Sequence, residues 1–246
     1  ATTLNEMIAV REGCAQGLSY VEAFCEEHDT AEQAVVVLHG FLGCKETVFD
    51  AFRGLSRHIG RVVAPDLPFH GKTGDLAVDS VDDAARAVHQ LLTDLGLVSY
   101  GLVGYSLGGR VALSMLDQDD GKSVHAVVLI SSDPGLEPVF TARSRRFSED
   151  AARASAIRAD FGGFLNKWYS ASLWGTTLSA EDKKLWIDRI LSTNSAEKMA
   201  SAISTFSPSR APNLWPLLEE KNCPPTLFVC GCEDSKYVQI GRRLQK

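Results

Sequence analysis

The chain has 246 residues, 45% of them hydrophobic, and a net charge of −6 from 25 basic and 31 acidic side chains. That length suits one domain with a full core, or one domain carrying a large insertion. The acidic balance argues against nucleic acid and anionic membranes as partners, and no apolar run nears the roughly 18 residues that span a bilayer. No charged-then-apolar leader opens the sequence, which begins at Ala1. Cysteines stand at 14, 25, 44, 223, 230 and 232 with no CxxC spacing, so reduced thiols in an intracellular compartment are expected. Cys230-Gly231-Cys232 reads as a buried strand-end thiol beside a loop thiol, not as a metal site.

In chain order, the first strong strand is Ala34–Leu38, "AVVVL", which runs straight into "HGFLG". "RVVAP", Arg61–Pro65, follows and leads to "DLPFHG". A helix is expected in "SVDDAARAVHQLLTDLG", where Val81, Ala84, Ala85, Val88, Leu91 and Leu92 recur at helical spacing. Ser80 is its N-cap, and the aspartates after it suit the positive end of the dipole. Tyr100–Val103 and Ala126–Ile130 are the next strands, with a helix between them. From about Pro134 to Pro212 no strand-like run appears, while Trp168, Trp174 and Trp186 and many arginines do. That span reads as a helical insertion over the sheet's edge, or alternatively as a separate helical domain. "TLFVC", Thr226–Cys230, returns to the sheet. The expected organisation is an α/β fold with a mostly parallel sheet: core in 1–135, helical cap in 136–212, returning strand and acid loop in 213–246.

The stretch "GLVGYSLGGRVAL" carries the chemistry. Gly-x-Ser-x-Gly between a strand and a helix is a nucleophile elbow: Ser106 stands on a strained turn, and Gly104, Gly108 and Gly109 give it room. The N–H groups of Phe41 and Leu107 are the candidate oxyanion hole. Asp234 follows the last strand as the candidate acid, with Glu233 as the adjacent alternative. A serine there needs a histidine, and the six stand at 28, 39, 58, 70, 89 and 125, all before the acid. His39 and His28 read as loop residues, His58 and His89 as solvated helix positions, and His125 as a strand residue. His70 is the one conceivable substitute base. As written the constellation is incomplete, and Ser106 keeps an ordinary alcohol's high pKa.

"LVGYSLGGRVAL", "SSDPGLEP", "ARSRRFSED", "FLNKWYSASLW", "IDRILSTN", "NLWPLLEE" and "EDSKYVQI" resemble the synthases of 2-succinyl-6-hydroxy-2,4-cyclohexadiene-1-carboxylate (SHCHC) of the menaquinone and phylloquinone pathway. The resemblance covers roughly residues 34 to 246 and looks closest to the plant and algal form, a domain of a fused protein. It implies an α/β-hydrolase fold and a lyase without cofactor or metal. Such an enzyme takes a proton from 2-succinyl-5-enolpyruvyl-6-hydroxy-3-cyclohexene-1-carboxylate (SEPHCHC) and expels pyruvate. By motif position it implies substrate contacts from Arg110, Arg146 and Arg189, with Tyr105, Trp168 and Lys236 as further site residues. Arginine forks suit a polycarboxylate substrate. Arg143 and Arg145 stand close enough to compete with Arg146, the cap arginines could be surface charges, and Trp168 could simply pack the cap. In the family the histidine follows a further strand and precedes a final helix; both are expected to be missing here, through truncation of a longer protein. That would leave Thr226–Cys230 with an open edge.

Three functions remain in play: the synthase, a generic serine esterase or thioesterase, and a non-catalytic binding protein on the same fold. The expected partners are a small polycarboxylate and other domains of a fused pathway protein. The compartment would be a plastid in a plant or alga and the cytoplasm in a bacterium.

Overall fold

A computed structural model describes residues 8–25, 34–119, 122–136, 139–170, 179–219 and 223–245. The first element is a hairpin that the sequence reading missed: β1 (Ile8–Ala15) and β2 (Leu18–Cys25), antiparallel and in register from Ile8↔Cys25 to Ala15↔Leu18. Its turn is Gln16-Gly17, both at positive φ (53° and 77°). That is the backbone of a tight hairpin without the usual Asn-Gly or Asp-Gly cue. The pattern was also masked by Glu22, a carboxylate with no exposed surface in the middle of β2. It is held by the guanidinium Nε groups of Arg11 and Arg61, each at 2.6 Å.

Beyond the hairpin the chain alternates as expected. β3 (Ala34–Leu38), α1 (Lys45–Phe52), α2 (Ser56–Ile59) and β4 (Arg61–Pro65) come first. α3 (Val81–Asp94), β5 (Tyr100–Tyr105), α4 (Leu107–Gln118) and β6 (Val124–Ile130) follow. Ser80 caps α3 as expected, accepting the Asp83 N–H at 3.1 Å. Together with β7 (Thr226–Val229) the strands form one sheet in the order β1-β2-β4-β3-β5-β6-β7, parallel from β4 to β7. β3 is buried on both faces: Ala34, Val36 and Leu38 join the core beneath α3 and α4, and Val37 joins the smaller cluster with Val48 and Phe49 of α1. His89 is not a solvated helix residue. Its Nε2–H donates to the Met115 carbonyl (3.1 Å) and its Nδ1 accepts the Tyr100 hydroxyl (2.8 Å), tying α3 to α4 and β5.

Between β6 and β7 the described residues form α5 (Phe140–Ala159), α6 (Phe161–Ser170), α7 (Ala180–Thr193) and α8 (Ala196–Thr205). Trp174 lies outside the described residues. Where this helical segment leaves the core and where it rejoins, the two connections are zipped together. Leu214 N–H donates to the Pro134 carbonyl at 2.7 Å. Arg143 donates from Nη1 to Ser209 and Ala211 (3.1 and 3.2 Å) and from Nη2 to Leu136 (3.0 Å).

After α9 (Trp215–Leu218), β7 pairs with β6 from Val127↔Thr226 to Ile130↔Val229. Its other edge has no strand partner among the described residues, and Leu227 (59%) and Val229 (42%) are exposed. Cys230, expected buried, is half-buried at that edge, and all six cysteines are free. A helix not foreseen from the sequence, α10 (Ser235–Leu244), then packs Gly241 against Phe228 and sets the Arg243 guanidinium 3.7 Å over the Trp215 ring.

Candidate functional site

Ser106 adopts φ 51° and ψ −109°, a left-handed backbone on a residue with a Cβ. Strain of this kind costs roughly 1–3 kcal/mol and persists only where the surroundings impose it. Here they do. Ser106 N–H donates to the Ile130 carbonyl at 2.9 Å, and its own carbonyl accepts the Ser132 hydroxyl at 2.8 Å. The motif glycines are obligatory. A Cβ on Gly104 would lie 2.4 Å from Gly109 Cα, one on Gly108 would lie 2.2 Å from the Leu38 carbonyl oxygen, and one on Gly109 would lie 2.5 Å from the Ser132 side chain. Strand β5, helix α4 and the end of β3 therefore meet with no room for any side chain but hydrogen, and that contact lifts Ser106 from the sheet.

The end of β3 carries the loop with the candidate oxyanion donor, Phe41 N–H. His39 has no exposed surface; its Nδ1–H donates to the Gly40 carbonyl at 2.8 Å and its Nε2 accepts the Leu67 N–H at 3.0 Å. Burial lowers its pKa to about 4, so the ring is neutral and serves as a brace between two loops. Gly40 lies against the Tyr105 ring and Ser106 Cβ, which brings Phe41 beside the elbow. Among the described residues no acceptor is bonded to the Phe41 or Leu107 N–H. His70 is sealed in beside this loop, edge-on to His39 (5.0 Å) and Phe41 (6.1 Å). Its Nδ1–H donates to the Pro68 carbonyl at 2.9 Å, and burial lowers its pKa to about 3. Among the described residues no hydrogen bond joins it to Ser106.

The arginines separate clearly. Arg110, one turn after the serine, donates from Nη1 to the Phe206 carbonyl at 2.6 Å. Burial pushes its pKa down, Asp133 pulls it up, and Arg146 is close enough to push it down again. Arg146 donates from Nε to Asp150 Oδ2 at 2.7 Å, and its two terminal nitrogens have no partner among the described residues. Its rivals are otherwise occupied: Arg143 is the clamp on the connections, and Arg145 points outward with Glu149 at 3.7 Å. Arg189 is half-buried near the end of α7, and among the described residues no hydrogen bond or ion pair links its guanidinium to Arg110 or Arg146.

Asp133, just past the end of β6, was missed by the sequence reading. It is 8% exposed and accepts Lys236 Nζ at 3.0 Å. Burial alone would raise its pKa, but Lys236 and Arg110 hold the carboxyl below the usual range. Lys236 is raised in turn by Asp133 and Tyr237, against burial. The signal was the position, a carboxylate at the C-terminal edge of a parallel strand, where sites of this architecture are built. Asp150, 1% exposed, was missed too, because an aspartate inside "RRFSEDAAR" looks like a solvated helix charge.

Asp234 caps α10, accepting the Tyr237 N–H at 3.3 Å. It is near enough to Tyr105 to raise that phenol, though burial is the larger cause. Trp168 on α6 stacks on Phe164 (5.6 Å) and meets Phe41 edge-on at 6.0 Å, so one ring both packs α6 on the core and covers the Phe41 loop. The structure therefore brings Tyr105, Ser106, Phe41 and Trp168 together around the elbow, with Arg110, Arg146, Asp133 and Lys236 beside it.

Residues 33–242 match the model of the α/β-hydrolase fold family. The SHCHC synthase of Serratia proteamaculans is 30% identical over 181 residues, 73% of this chain and 69% of that protein. Protein PHYLLO, chloroplastic, of Arabidopsis thaliana is 28% identical over 237 residues; the match takes in 91% of this chain but spans 14% of PHYLLO's length. Among solved structures, MenH from S. aureus superposes with a TM-score of 0.79 at 27% identity, covering 97% of this chain and 84% of that one.

Proposed function

Because the chain belongs to the α/β-hydrolase fold family and, within it, to the SHCHC synthases, we propose that its elbow serves the elimination of pyruvate from SEPHCHC. The observation that carries this reading is the pair Arg110 and Arg146. Arg110 stands one turn after Ser106 and close enough to Arg146 for the two charges to interact, and among the described residues nothing is bonded to the Arg146 terminal nitrogens that could grip a carboxylate. An esterase for neutral esters has no use for such a pair.

In this account Arg110, Arg146 and Lys236 bind the substrate's carboxylates, with Asp133 keeping Lys236 charged and oriented. Tyr105 and Trp168 bound the ring, and Arg189 contributes a further cation. A proton leaves the ring carbon that bears the succinyl group, its electron pair forms a new ring double bond, the existing double bond shifts by one position, and the ring carbon–oxygen bond breaks; the enolpyruvate expelled takes up a proton on carbon to become pyruvate. The Phe41 and Leu107 N–H groups hold the oxyanion that develops on the way. Ser106 receives that proton on Oγ once its own hydroxyl proton has passed to a histidine bridging it to Asp234. No histidine follows Asp234 in this sequence, and His39 and His70 are committed to the loops they brace. The segment 136–212 acts as the cap over this pocket, with 1–135 and 213–246 as its base.

Among the described residues no helix is long and apolar enough to cross a membrane. Given its likeness to a stretch of PHYLLO, we place the chain beside other pathway domains, in a plastid or a bacterial cytoplasm, with its thiols reduced.

The test is pyruvate release from SEPHCHC, read by a coupled dehydrogenase, with Ser106→Ala as control. Serine-dependent release supports the synthase. Cleavage of p-nitrophenyl esters without pyruvate release overturns it in favour of an esterase. Saturable SHCHC binding with no release supports the ligand assignment and leaves the chain a binding protein as it stands.

A further inference from the structure

Arginine side chains are long and flexible, and two of them near one another repel. A pocket that presents them to a ligand in fixed poses needs something to hold them. In this chain one buried carboxylate is bonded to one of the pair and, through a serine, to the segment that bonds the other.

Asp150 lies on α5 with 1% of its surface exposed. Its Oδ2 accepts Arg146 Nε at 2.7 Å and the Ser207 hydroxyl at 2.7 Å; its Oδ1 accepts Arg153 Nη1 at 2.5 Å. The bond to Arg146 is made through Nε, not through the fork. It fixes the plane of the guanidinium while, among the described residues, Nη1 and Nη2 have no partner. The Ser207 bond reaches Arg110. Ser207 follows Phe206, whose carbonyl accepts Arg110 Nη1 at 2.6 Å. Ser207 is 1% exposed and is further tied to the Ser209 hydroxyl at 2.7 Å, so this short segment is held from both sides.

We propose that Asp150 is a positioning residue of the carboxylate site, aiming Arg146 directly and Arg110 through the Ser207–Phe206 segment. The role rests on the synthase reading above, since it presumes a polycarboxylate ligand at these two arginines. Asp150 does not touch the ligand; it lowers the ordering cost of the groups that do.

The sign of one substitution separates this role from simple electrostatics. Asp150→Asn removes a negative charge from beside an anion site, so Coulomb's law alone makes SHCHC bind more tightly. The positioning role predicts the opposite. An amide cannot accept from two guanidiniums and a hydroxyl, Arg146 loses its fixed plane, and the dissociation constant for SHCHC rises about tenfold. The measurement is calorimetric titration of SHCHC into wild type, Asp150→Asn, Arg146→Met and the double variant, each with its thermal midpoint. In the Arg146→Met background Asp150→Asn is expected to add at most about threefold, because the arginine it aimed most directly is gone. Ser207→Ala, which leaves both ion pairs in place, is the variant to use should Asp150→Asn fail to fold; it is expected to weaken binding about threefold. Unchanged or tighter binding in Asp150→Asn overturns the role while the synthase reading stands. The same holds for a drop in thermal midpoint without a change in affinity, or for unchanged affinity in Ser207→Ala. Absence of SHCHC binding in wild type overturns the proposed function and this role with it.

Discussion

Gly108→Ala is the sharpest test of how the elbow is built. The new Cβ would stand 2.2 Å from the Leu38 carbonyl oxygen, 2.5 Å from its carbon and 2.7 Å from the His39 carbonyl oxygen. An unstrained carbon–oxygen approach is about 3.3 Å, so α4 must withdraw from β3 by roughly 1 Å. Overpacking against side chains costs about 1–3 kcal/mol. Here the obstacle is backbone: Leu38 is paired with Gly104 of β5, and β3 is held by β4 as far as Val36. The upper end applies, about 3 kcal/mol. The better helix propensity of alanine returns up to about 1 kcal/mol, leaving a net loss near 2 kcal/mol. Urea unfolding measures it as a midpoint about 1 M lower at unchanged slope. Gly54→Ala is the control: nothing lies within 4 Å of its added Cβ, and its midpoint is expected to stay put or rise slightly. If Gly108→Ala is as stable as Gly54→Ala, the close meeting of α4 and β3 is wrong, and with it the placing of Ser106.

Two further outcomes follow from the same site. Ser106→Gly is expected to raise stability by about 1 kcal/mol, since relief of a φ of 51° outweighs the glycine's added chain entropy; Ser106→Ala, which keeps the Cβ, should not. Thermal midpoints of the two variants compared directly decide it, and equal midpoints would refute strain at the elbow. The second concerns acid. His39 and His70 have folded pKa values lowered to about 4 and about 3, below the unfolded value near 6.5, so in between the unfolded chain binds more protons. Their contribution is complete above pH 6.5 and is lost as pH falls through 6 toward 4, at about 1.4 kcal/mol per pH unit for each ring. Replacing His70 with Gln should remove one such increment from the slope of stability against pH. An unchanged slope would mean that His70 is not held neutral.

Much of this architecture was legible because its signals are local. β3, β4, β5, β6 and β7 are short apolar runs at the right intervals, and α3 shows both its cap and its stripe. The elbow was readable for the same reason, since a glycine on each side of Ser106 answers to contacts that admit no Cβ. What escaped was set by tertiary pairing. The β1–β2 hairpin hides a buried Glu22 that only Arg11 and Arg61, 39 residues beyond it in the second case, make tolerable. Asp133 and Asp150 look like ordinary surface charges in the sequence; the first takes its importance from cations on distant elements, Lys236 of α10 and Arg110 of α4, and the second from burial against the distant Ser207 hydroxyl. Three neighbouring arginines, 143, 145 and 146, were indistinguishable by motif; partners separated them, carbonyls for the first, Glu149 for the second and Asp150 for the third.

The central claim is that this pocket is built for a polycarboxylate, and calorimetric titration of SHCHC into wild type and Arg110→Met tests it most directly. Arg110→Met removes the guanidinium and its bond to the Phe206 carbonyl, while Asp133 keeps its pairing with Lys236 at 3.0 Å. The account predicts one saturable site in wild type and at least about a tenfold loss of affinity in Arg110→Met, in a protein that still unfolds in a single cooperative transition. Equal affinity in the two proteins, or no binding to either, would contradict it.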